Sequence, residues 1–409
     1  MPMDSELIVG LDIGTSKIAT VVAEVTDNGI DIIGLGTSPS RGLNKGVVVN
    51  IDTTVNAIRA AVEEAEQMAG CEIHSVFAGI SGGHIQGMNT RAVCAVKDRE
   101  VKRTDVARVL EVARNTCLLP MDREIIHVLP TEYIVDHQDG VHEPVGMAGG
   151  RLEARVHIVT AATTSAQNII KVCERCDLSV SAVVLEPLAS SLSCLYDAER
   201  ELGVVVIDIG GGTTDIVVVR DGALVYTTVL PIGGDHFTND LAVGLRTPRG
   251  EAERLKLQFG CALVEGVNPE EEVEVHLVGG RQPQVISRQI LSKIIEPRAE
   301  ELFSLVRDAV DRAGLPEESL ASGAVITGGT SAMSGMNELA EMVLGMPVRL
   351  GLPLGVGGLA EVVRNPRYCA AVGLVRFGAE SHDGLAYRDS EPERTGLWRR
   401  MREWWGGTF

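Results

Sequence analysis

Apolar runs broken by glycine-rich turns recur in two distant parts of the chain. Ile8–Val25 (IVGLDIGTSKIATVVAEV) and Val204–Val219 (VVVIDIGGGTTDIVVV) each contain a β-branched run, the triplet Asp-Ile-Gly, a hydroxyl-rich turn and a second apolar run. This pattern predicts a strand, a tight turn and a returning strand in both places. Asp12 and Asp208 hold equivalent positions in the two copies. The repeat therefore predicts two similar halves, with one such turn on each side of a shared cleft.

The residue types in both turns suit a phosphate group. Glycine lets the backbone approach an anion closely and present its N–H groups, while hydroxyl groups and a lysine add donors and charge. The candidate phosphate contacts are Gly14, Thr15, Ser16, Lys17, Gly210, Gly211, Gly212, Thr213 and Thr214. A pair of hairpins without a ligand would also contain such turns, although two matching copies weigh against that interpretation. The spacing matches neither a P-loop nor a dinucleotide-binding GxGxxG motif.

Three aspartates accompany these turns: Asp12, Asp208 and Asp215. A carboxylate beside a phosphate would repel it unless a divalent cation lies between them. We therefore expect Mg²⁺, held through water molecules because this ion dehydrates reluctantly. The histidines include no HExxH motif and the lone CxxC has no second pair, so a zinc site is not expected.

A third glycine-rich element, Gly323–Gly345, predicts a buried strand, a turn at Gly328-Gly329 and a helix. The predicted apolar face of that helix contains Met336, Leu339, Ala340 and Val343. A glycine pair at the end of a strand lets a flat base lie against the backbone. Two segments rich in small residues, LEPLASSLSCL from Leu185 and YCAAVGLVRFG from Tyr368, predict helices that cross closely as a hinge.

These five motifs, in this order, resemble those of the actin superfamily: two phosphate loops, an adenosine motif and two connecting helices. The resemblance implies an α/β, actin-like fold of two lobes, with ATP and Mg²⁺ between them and both hairpins on the phosphates. It gives Glu186 the position that orients the attacking water in DnaK-type chaperones. The other nucleotide contacts implied are Glu253 and Lys256 on the ribose, Gly233 and Gly234 near the phosphates, and Gly328, Gly329 and Met333 at the adenosine. An ordinary salt bridge along one helix would also account for Glu253 and Lys256.

Residues 84–162 lie outside the basic actin plan. They contain RTDVARVLEVARN, which predicts a helix, and the alternating segments IIHVLPTEYIV and LEARVHIVTA, which predict strands, with turns at HQDG and GMAGG. The segment PVGMAGGRLEARVH is similar to the 1C domain of FtsA, a family of bacterial actin-like cell division proteins. With LDIGTSK, LEPLASSL and the C-terminal tail, it identifies the sequence as a member of that family. The resemblance implies that this inserted module contacts neighbouring subunits and membrane-anchored division proteins.

The resemblance also divides the chain into subdomains. We expect residues 1–83 and 163–200 to form subdomain 1A, 84–162 the inserted subdomain 1C, 201–244 and 302–379 subdomain 2A, 245–301 subdomain 2B, 380–396 a flexible linker and 397–409 an amphipathic helix. In the FtsA family, subdomain 2B grips the acidic C-terminal tail of the tubulin-like GTPase FtsZ. The helical pattern at the end of this subdomain predicts inward Ile286, Ile290, Ile294 and Ile295 and outward Arg288, Lys293 and Arg298. Outward basic side chains would suit an acidic partner.

All three tryptophans of the chain lie within its last twelve residues. In a helix, the apolar residues Leu397, Trp398, Met401, Trp404 and Trp405 would share one face, opposite Arg399, Arg400, Arg402 and Glu403. Tryptophan favours the bilayer interface and arginine favours anionic head groups. The pattern predicts a helix that lies in the membrane surface rather than spanning it. A terminal helix packed on its own domain is the alternative.

Composition narrows the function further. A formal net charge of −19 argues against nucleic acid as a partner, because phosphate neutralisation needs a basic face. Residues 1–10 show no signal peptide, and no apolar run approaches the roughly 18 residues of a membrane span. Together with these exclusions, the resemblance to the FtsA family implies a self-assembling adaptor on the cytoplasmic face of the inner membrane that recruits the FtsZ ring, with at most slow ATP hydrolysis. A pilus-assembly homologue of the PilM type and, less favoured, a sugar kinase are the alternatives.

Overall fold

The structure is a computed structural model that describes residues 6–26, 29–279 and 282–382. In chain order its strands are β1 (Glu6–Ile13), β2 (Lys17–Thr26), β3 (Gly29–Pro39), β4 (Leu43–Asn44), β5 (Val47–Val48), β6 (Ser75–Ile80), β7 (Gln86–Ala95), β8 (Arg123–Val135), β9 (Gln138–Val141), β10 (Arg151–Ala162), β11 (Ser179–Leu185), β12 (Val204–Ile209), β13 (Thr214–Arg220), β14 (Ala223–Leu230), β15 (Glu272–Val275), β16 (Gln284–Ser287), β17 (Ala324–Thr327), β18 (Val348–Leu350) and β19 (Val356–Gly358).

Helices separate these strands. The α-helices are α1 (Ile51–Ala69), α2 (Arg103–Thr116), α3 (Thr163–Glu174), α4 (Glu186–Cys194), α5 (Asp197–Leu202), α6 (Gly234–Leu245), α7 (Arg249–Phe259), α8 (Arg288–Arg312), α9 (Met336–Leu344), α10 (Ala360–Val363) and α11 (Cys369–His382). Short 3₁₀ helices span Glu317–Leu320, Gly329–Ala332 and Pro366–Tyr368.

Three sheets organise the described chain. A six-stranded sheet of order β11-β6-β1-β2-β3-β19 forms the first lobe, and a five-stranded sheet of order β14-β13-β12-β17-β18 forms the second. A four-stranded sheet of order β7-β10-β8-β9, with α2 against it, forms the inserted module. The α/β class and the two-lobed plan expected from the sequence are confirmed.

Both predicted hairpins occupy equivalent places in the two lobes. Strand β1 pairs antiparallel with β2 and parallel with β6, while β12 pairs antiparallel with β13 and parallel with β17. Each hairpin is therefore interior to its sheet. Its turn lies at the end of the two strands, where neighbouring strands on both sides hold it in place. In the second hairpin Asp208 lies directly opposite Asp215.

Helix α1 shows how the sequence builds the first lobe locally. The Asn50 side chain accepts the Thr53 N–H and caps the start of the helix, and Gly70 ends it in the left-handed conformation. The helix then packs on β3, where a Cβ at Gly36 would overlap the carbonyl oxygen of Ala61. Only glycine permits that close approach of helix and strand.

The third glycine element and the close crossing of the two helices are also as predicted. Strand β17 is followed by the Gly328-Gly329 turn and by α9, with Met336, Leu339 and Ala340 buried. Helices α4 and α11 pack so closely that a Cβ at Gly373 would overlap the carbonyl oxygen of Ala189. This contact confirms the close crossing of the two helices.

Three arginines hold the C-terminal carbonyl groups of α4. Arg200 donates to the Ser191 oxygen at 2.6 Å, Arg376 donates to the Leu192 oxygen at 3.2 Å, and Arg349 donates to the Cys194 oxygen at 2.8 Å. These carbonyl groups have no partner within the helix, and cations there also oppose the negative end of its dipole.

The inserted module contacts the second lobe as well as the first. Two side chains of the module reach β14: His157 Nε2 lies 3.2 Å from Thr227 Oγ1, and Asn89 Nδ2 donates to the Val225 oxygen at 3.2 Å. One predicted turn is shifted: Asp136 and His137 adopt positive φ and make the turn, while the remainder of HQDG belongs to β9. The helix and strands predicted in this module are present.

The predicted orientation of α8 is partly wrong. Ile295 is fully buried, but Ile290 is 40% exposed. The Arg288 guanidinium bonds to the Phe259 carbonyl oxygen and to Glu271, and Arg298 bonds to Asp240. Two of the three basic residues expected to face solvent are thus engaged by partners within the chain, because distant segments fold back on this helix.

Helix α11 continues to His382, so the first three residues assigned to the linker of residues 380–396 are helical. The rest of that linker and the amphipathic segment Leu397–Phe409 lie outside the described residues. Within the described part of the chain, no helix combines the length and apolarity needed to cross a membrane.

The largest hydrophobic cluster crosses the boundary between the lobes. It joins Leu11 and Ile58 of the first lobe to Val206, Val217 and Val325 of the second. Partly buried side chains from the inserted module pack against the same cluster.

Candidate functional site

A cleft with a cavity volume of about 350 Å³ lies where the two hairpin turns meet. It is lined by most of the residues predicted from the sequence: Asp12, Gly14, Thr15, Ser16, Lys17, Glu186, Asp208, Gly210, Gly211, Thr213, Asp215, Glu253, Lys256, Gly328 and Gly329. The chain thus brings together side chains separated by more than 300 residues. The two turns touch, since a Cβ at Gly211 would overlap Ser16 Oγ.

The turns present unused backbone donors. In the second turn, the carbonyl oxygen of Gly210 accepts from Gly234 N at 2.9 Å and from Thr330 Oγ1 at 2.9 Å, and that of Gly211 accepts from Asp235 N at 2.8 Å. These contacts fix the peptide planes of the turn. Among the described residues, no protein acceptor meets the N–H groups of Thr15, Ser16 and Gly211, which line the cavity. Clustered free N–H groups of this kind form an anion-binding concavity.

Four carboxylates share this cleft: Asp12 and Asp215 are buried, and Asp208 and Glu186 are half-buried. Asp208 Oδ2 accepts from Ser190 Oγ at 2.5 Å, and Asp215 Oδ1 accepts from Ser81 Oγ at 2.6 Å. Burial raises the pKa of Asp208 to about 6 and that of Asp215 to about 7. Burial, followed by repulsion from the neighbouring aspartates, raises the pKa of Glu186 well above its ordinary value. The cluster therefore carries an electrostatic cost that a cation would relieve.

Magnesium fits this donor set when it is held through water. Within the described residues, no three or more His, Cys, Asp or Glu side chains are arranged to hold a metal ion directly. The four carboxylates nevertheless face one cavity, and the three aspartates raise the pKa of Glu186, so their fields converge there. A hydrated Mg²⁺ is the cation that such a roomy oxygen-lined site suits best, because it usually keeps several of its waters.

Lys17 lines the cavity beside the carboxylate cluster. Its Nζ is 2.5 Å from Asp12 Oδ2, and it lies 5.6 Å from the centre of the Tyr368 ring. The lysine thus neutralises one aspartate of the cluster while staying at the edge of the cavity. Asp12 itself is buried at the end of β1.

Glu186 is the first residue of α4, and a glycine makes room for it. A Cβ at Gly79, in β6, would lie 2.9 Å from both Cγ and Oε1 of Glu186. Gly79 lies in the sequence segment VFAGISGG, which does not show by itself what the glycine contacts. The parallel pairing of β6 with β11 brings it opposite Glu186.

Helix α7 supplies the other wall of the cleft. Lys256 Nζ lies 2.8 Å from Glu253 Oε2, and it also donates to the Gly234 oxygen at 3.0 Å and to Thr238 Oγ1 at 2.9 Å. The helix salt bridge is therefore present, and both of its members also line the cavity. The two interpretations of this pair are compatible.

Five predicted contacts do not line the cavity. Gly233 is extended and packs against Gly210 and Gly211, and Gly234 begins α6 directly behind them. Thr214 is buried and donates to the Ile232 oxygen. The remaining two are Gly212, beside Thr15 and Lys45, and Met333, whose sulfur lies against Gly260. Gly212 is itself part of the second turn, and the other four residues lie outside the cavity lining.

The sequence did not single out several lining residues. They are Ile13, Gly46, Ser81, Leu257, Thr330, Pro366, Arg367 and Ala370. Ser81 orders Asp215, and the Arg367 guanidinium lies 5.2 Å from the centre of the Tyr368 ring. Ile13, Leu257 and Thr330 neighbour predicted site residues in the chain, whereas Ser81 and Arg367 reach the cleft only through contacts between distant segments.

Comparison with known proteins decides the family. The family model described as cell division protein FtsA matches residues 205–373, and one described as an SHS2 domain inserted in FtsA matches residues 82–160. The cell division protein FtsA of Pseudomonas aeruginosa is 48% identical, covering 99% of this chain and 98% of that protein. This chain belongs to the FtsA family.

Two further relatives carry the same description. FtsA of Neisseria meningitidis is 43% identical, covering 100% of both chains, and FtsA of Escherichia coli K12 is 41% identical, covering 98% of both chains. An FtsA is a cell division protein with an actin-like fold, and this chain is one. The inserted module corresponds to the inserted SHS2 domain of the family.

Solved structures confirm the actin-like fold of this FtsA. A PilM–PilN type IV pilus biogenesis complex matches with a TM-score of 0.65 at 18% identity, over 93% of this chain and 99% of that one. MreB5 of Spiroplasma citri bound to ADP matches with a TM-score of 0.57 at 13% identity, over 93% of this chain and 98% of that one. At these identities the likeness concerns the fold alone, so the PilM alternative loses to the FtsA relatives.

Proposed function

We propose that this FtsA binds ATP with Mg²⁺ in the cleft between the lobes. The observation that carries the proposal is the meeting of two glycine turns, with free N–H groups, beside a cluster of four carboxylates. Phosphates would accept hydrogen bonds from the turns, and the cation would lie between the phosphates and the aspartates. Glu253 and Lys256 would contact the ribose, and the Gly328-Gly329 turn would lie beside the base. A solved relative of the same fold is described as bound to ADP.

Nucleotide would act mainly by setting the angle between the lobes. Glu186 lines the cleft, where a carboxylate could orient an attacking water, and burial and the neighbouring aspartates raise its pKa. We propose slow hydrolysis, with assembly as the output. Self-assembly accords with MamK, a protein of this fold described as a double helical filament.

We further propose that the protein tethers the FtsZ ring to the cytoplasmic face of the inner membrane. The sequence of residues 397–405 segregates tryptophans from arginines as an interfacial helix requires. Single copies of so short a helix would bind lipid weakly, and a polymer that presents many copies would bind by avidity. Subdomain 2B would receive the acidic tail of FtsZ, with Lys293 as its exposed basic residue on α8.

The inserted module would recruit membrane-anchored division proteins and contact neighbouring subunits. It carries its own sheet and helix, so it offers a surface separate from the cleft. The module is part of the FtsA family plan, which supports a role in division rather than in sugar phosphorylation.

Flotation with liposomes tests the tether. Purified full-length chain, FtsZ and anionic liposomes are combined with ATP and Mg²⁺, and floated material is analysed for both proteins. We expect FtsZ to float only when this chain is present and to stay in solution when neutral lipid replaces anionic lipid. Flotation of this chain without FtsZ would remove the FtsZ part of the proposal, and failure of both to float would remove the tether.

A further inference from the structure

A second cavity, of about 390 Å³, lies between the inserted module and the second lobe. Arg91 and Arg155 of the module and Arg220 of the second lobe all line it. No aspartate or glutamate of the described chain is among its lining residues, although the whole protein has a formal net charge of −19. The cavity is thus a local concentration of positive charge in an acidic protein.

Two of these arginines are placed where like charges are unfavourable. Arg155 of β10 and Arg91 of β7 are direct partners in an antiparallel ladder. Side chains directly opposite each other have Cβ atoms about 5 Å apart, and like charges in such a pair destabilise a sheet. Within the chain, Glu153 and Glu132 offset this repulsion, and both guanidinium groups still line the cavity.

The carboxylate partners of these arginines leave donors unused. Arg91 pairs with Glu153, and Arg155 Nη1 lies 2.5 Å from Glu132 Oε2. Neither glutamate lines the cavity. A guanidinium has five N–H donors, so each arginine retains donors after one such contact.

The third arginine, Arg220, belongs to the second lobe. Arg220 ends β13, and its Nε donates to Asp221 at 3.1 Å. Asn89 and Thr131 add neutral polar groups to the lining, while Val225 and Leu315 supply an apolar wall.

We propose that this cavity binds a phosphoryl group carried by a small organic molecule. Arginine forks match phosphate oxygens, and a phosphate offers three strong acceptors to the three guanidinium groups. The volume lies in the range of small-molecule pockets, and the apolar wall leaves room for the organic part of the ligand. Because two of the arginines belong to the inserted module and one to the second lobe, the bound ligand links the module to that lobe.

Calorimetry with three probes tests the site and its source of phosphate. Inorganic phosphate, glycerol 3-phosphate and dihexanoyl phosphatidic acid are titrated into the full chain, with ADP and Mg²⁺ present throughout so that the nucleotide cleft is filled. The variants are Arg155→Gln, Arg220→Gln and Arg220→Lys. The matched control is Arg364→Gln, since Arg364 is an exposed arginine paired with Glu361 outside the cavity.

We expect glycerol 3-phosphate or the short lipid to bind the wild-type chain and the control equally. Each glutamine variant should weaken binding by about tenfold or more, since a hydrogen bond to a charged group contributes at least about 1.4 kcal/mol. Arg220→Lys should lose part of the affinity, because lysine keeps the charge but not the fork. Binding of the ester identifies a free metabolite, and binding of the lipid alone identifies a head group.

Two results would overturn the proposal. One is the absence of binding of all three probes to the wild-type chain at millimolar concentration. The other is unchanged affinity in the arginine variants, with thermal melts showing that they are folded.

Discussion

Replacing Gly211 by alanine tests the contact between the two hairpin turns. A Cβ at this position would overlap Ser16 Oγ and lie 3.0 Å from Ser16 Cβ. The Gly211 backbone is also fixed, because its carbonyl oxygen accepts from Asp235 N at 2.8 Å. Rotation of the Ser16 side chain can relieve the Oγ overlap, but the 3.0 Å contact with Ser16 Cβ remains, so the first turn has to shift by a few tenths of an ångström where phosphates would lie.

The cost follows from the size of the overlap. Adding one methyl group to a tightly packed site usually costs about 1–3 kcal/mol. If that cost falls on the closed, nucleotide-bound arrangement, ATP binding should weaken by roughly 5- to 150-fold. Isothermal titration of ATP with Mg²⁺ measures this directly, and thermal melts report whether the variant is folded.

A second substitution separates the contact from other effects. Ser16→Gly removes both atoms that the new methyl group would meet, so the Gly211→Ala/Ser16→Gly double variant should regain part of the lost affinity. The matched control is Gly250→Ala, where a Cβ meets nothing within 4 Å. A folded Gly211→Ala protein that binds ATP as tightly as wild type would refute the reasoning, as would strict additivity of the two changes.

Four further predictions concern the cleft and the tail. Asp208→Ala should weaken binding of ATP with Mg²⁺ at least about tenfold by calorimetry; equal affinity in a folded variant would contradict the cation assignment. The pKa of Asp215 is raised to about 7, so the nucleotide-free protein should lose stability as pH rises from about 4 to 7, and Asp215→Asn should flatten that loss in thermal melts. ATP turnover in a phosphate-release assay should stay well below the median enzyme rate of roughly 10 s⁻¹, and turnover at that rate would favour the sugar-kinase alternative. Deleting residues 397–409, or Trp404→Glu, should abolish liposome flotation without lowering the melting temperature. Arg400→Glu should weaken binding to anionic vesicles more than to neutral ones. A deletion variant that still floats would show that these residues do not anchor the protein to the membrane.

The sign of the pH prediction follows from proton binding. A carboxyl group with a raised pKa binds more protons in the folded state than in the unfolded state between its two pKa values. Stability therefore falls across that interval as pH increases. Above it the carboxylates are charged, and Mg²⁺ should stabilise the protein more at pH 8 than at pH 5.5 if it binds the cluster.

The local parts of the site could be predicted from the sequence. Each hairpin is encoded within about 20 residues, because alternating apolar positions and small turn residues specify strand, turn and strand together. The order of the motifs then supplied the two-lobed fold. Asp12 and Asp208 could be assigned because the Asp-Ile-Gly triplet fixes them beside the turns.

The remainder depends on contacts between distant segments. Arg298 was expected in solvent, yet it bonds to Asp240, 58 residues earlier in the chain. Ser81 and Ser190 hold the site aspartates, and nothing in the flanking sequence marks either serine as a partner. A helical pattern gives the direction of a side chain, but it does not give the chain segment that lies there.

The hydrophobic cluster that joins Leu11 and Ile58 to Val206, Val217 and Val325 bears on how the protein unfolds. Separating the lobes completely would expose part of this cluster to water, so neither lobe has an independent core on that side. The two lobes should therefore melt together in a single cooperative calorimetric transition, despite their internal symmetry. Motion during the nucleotide cycle is then confined to rotations small enough to leave this shared interior dry, and a fragment containing one lobe alone should be insoluble.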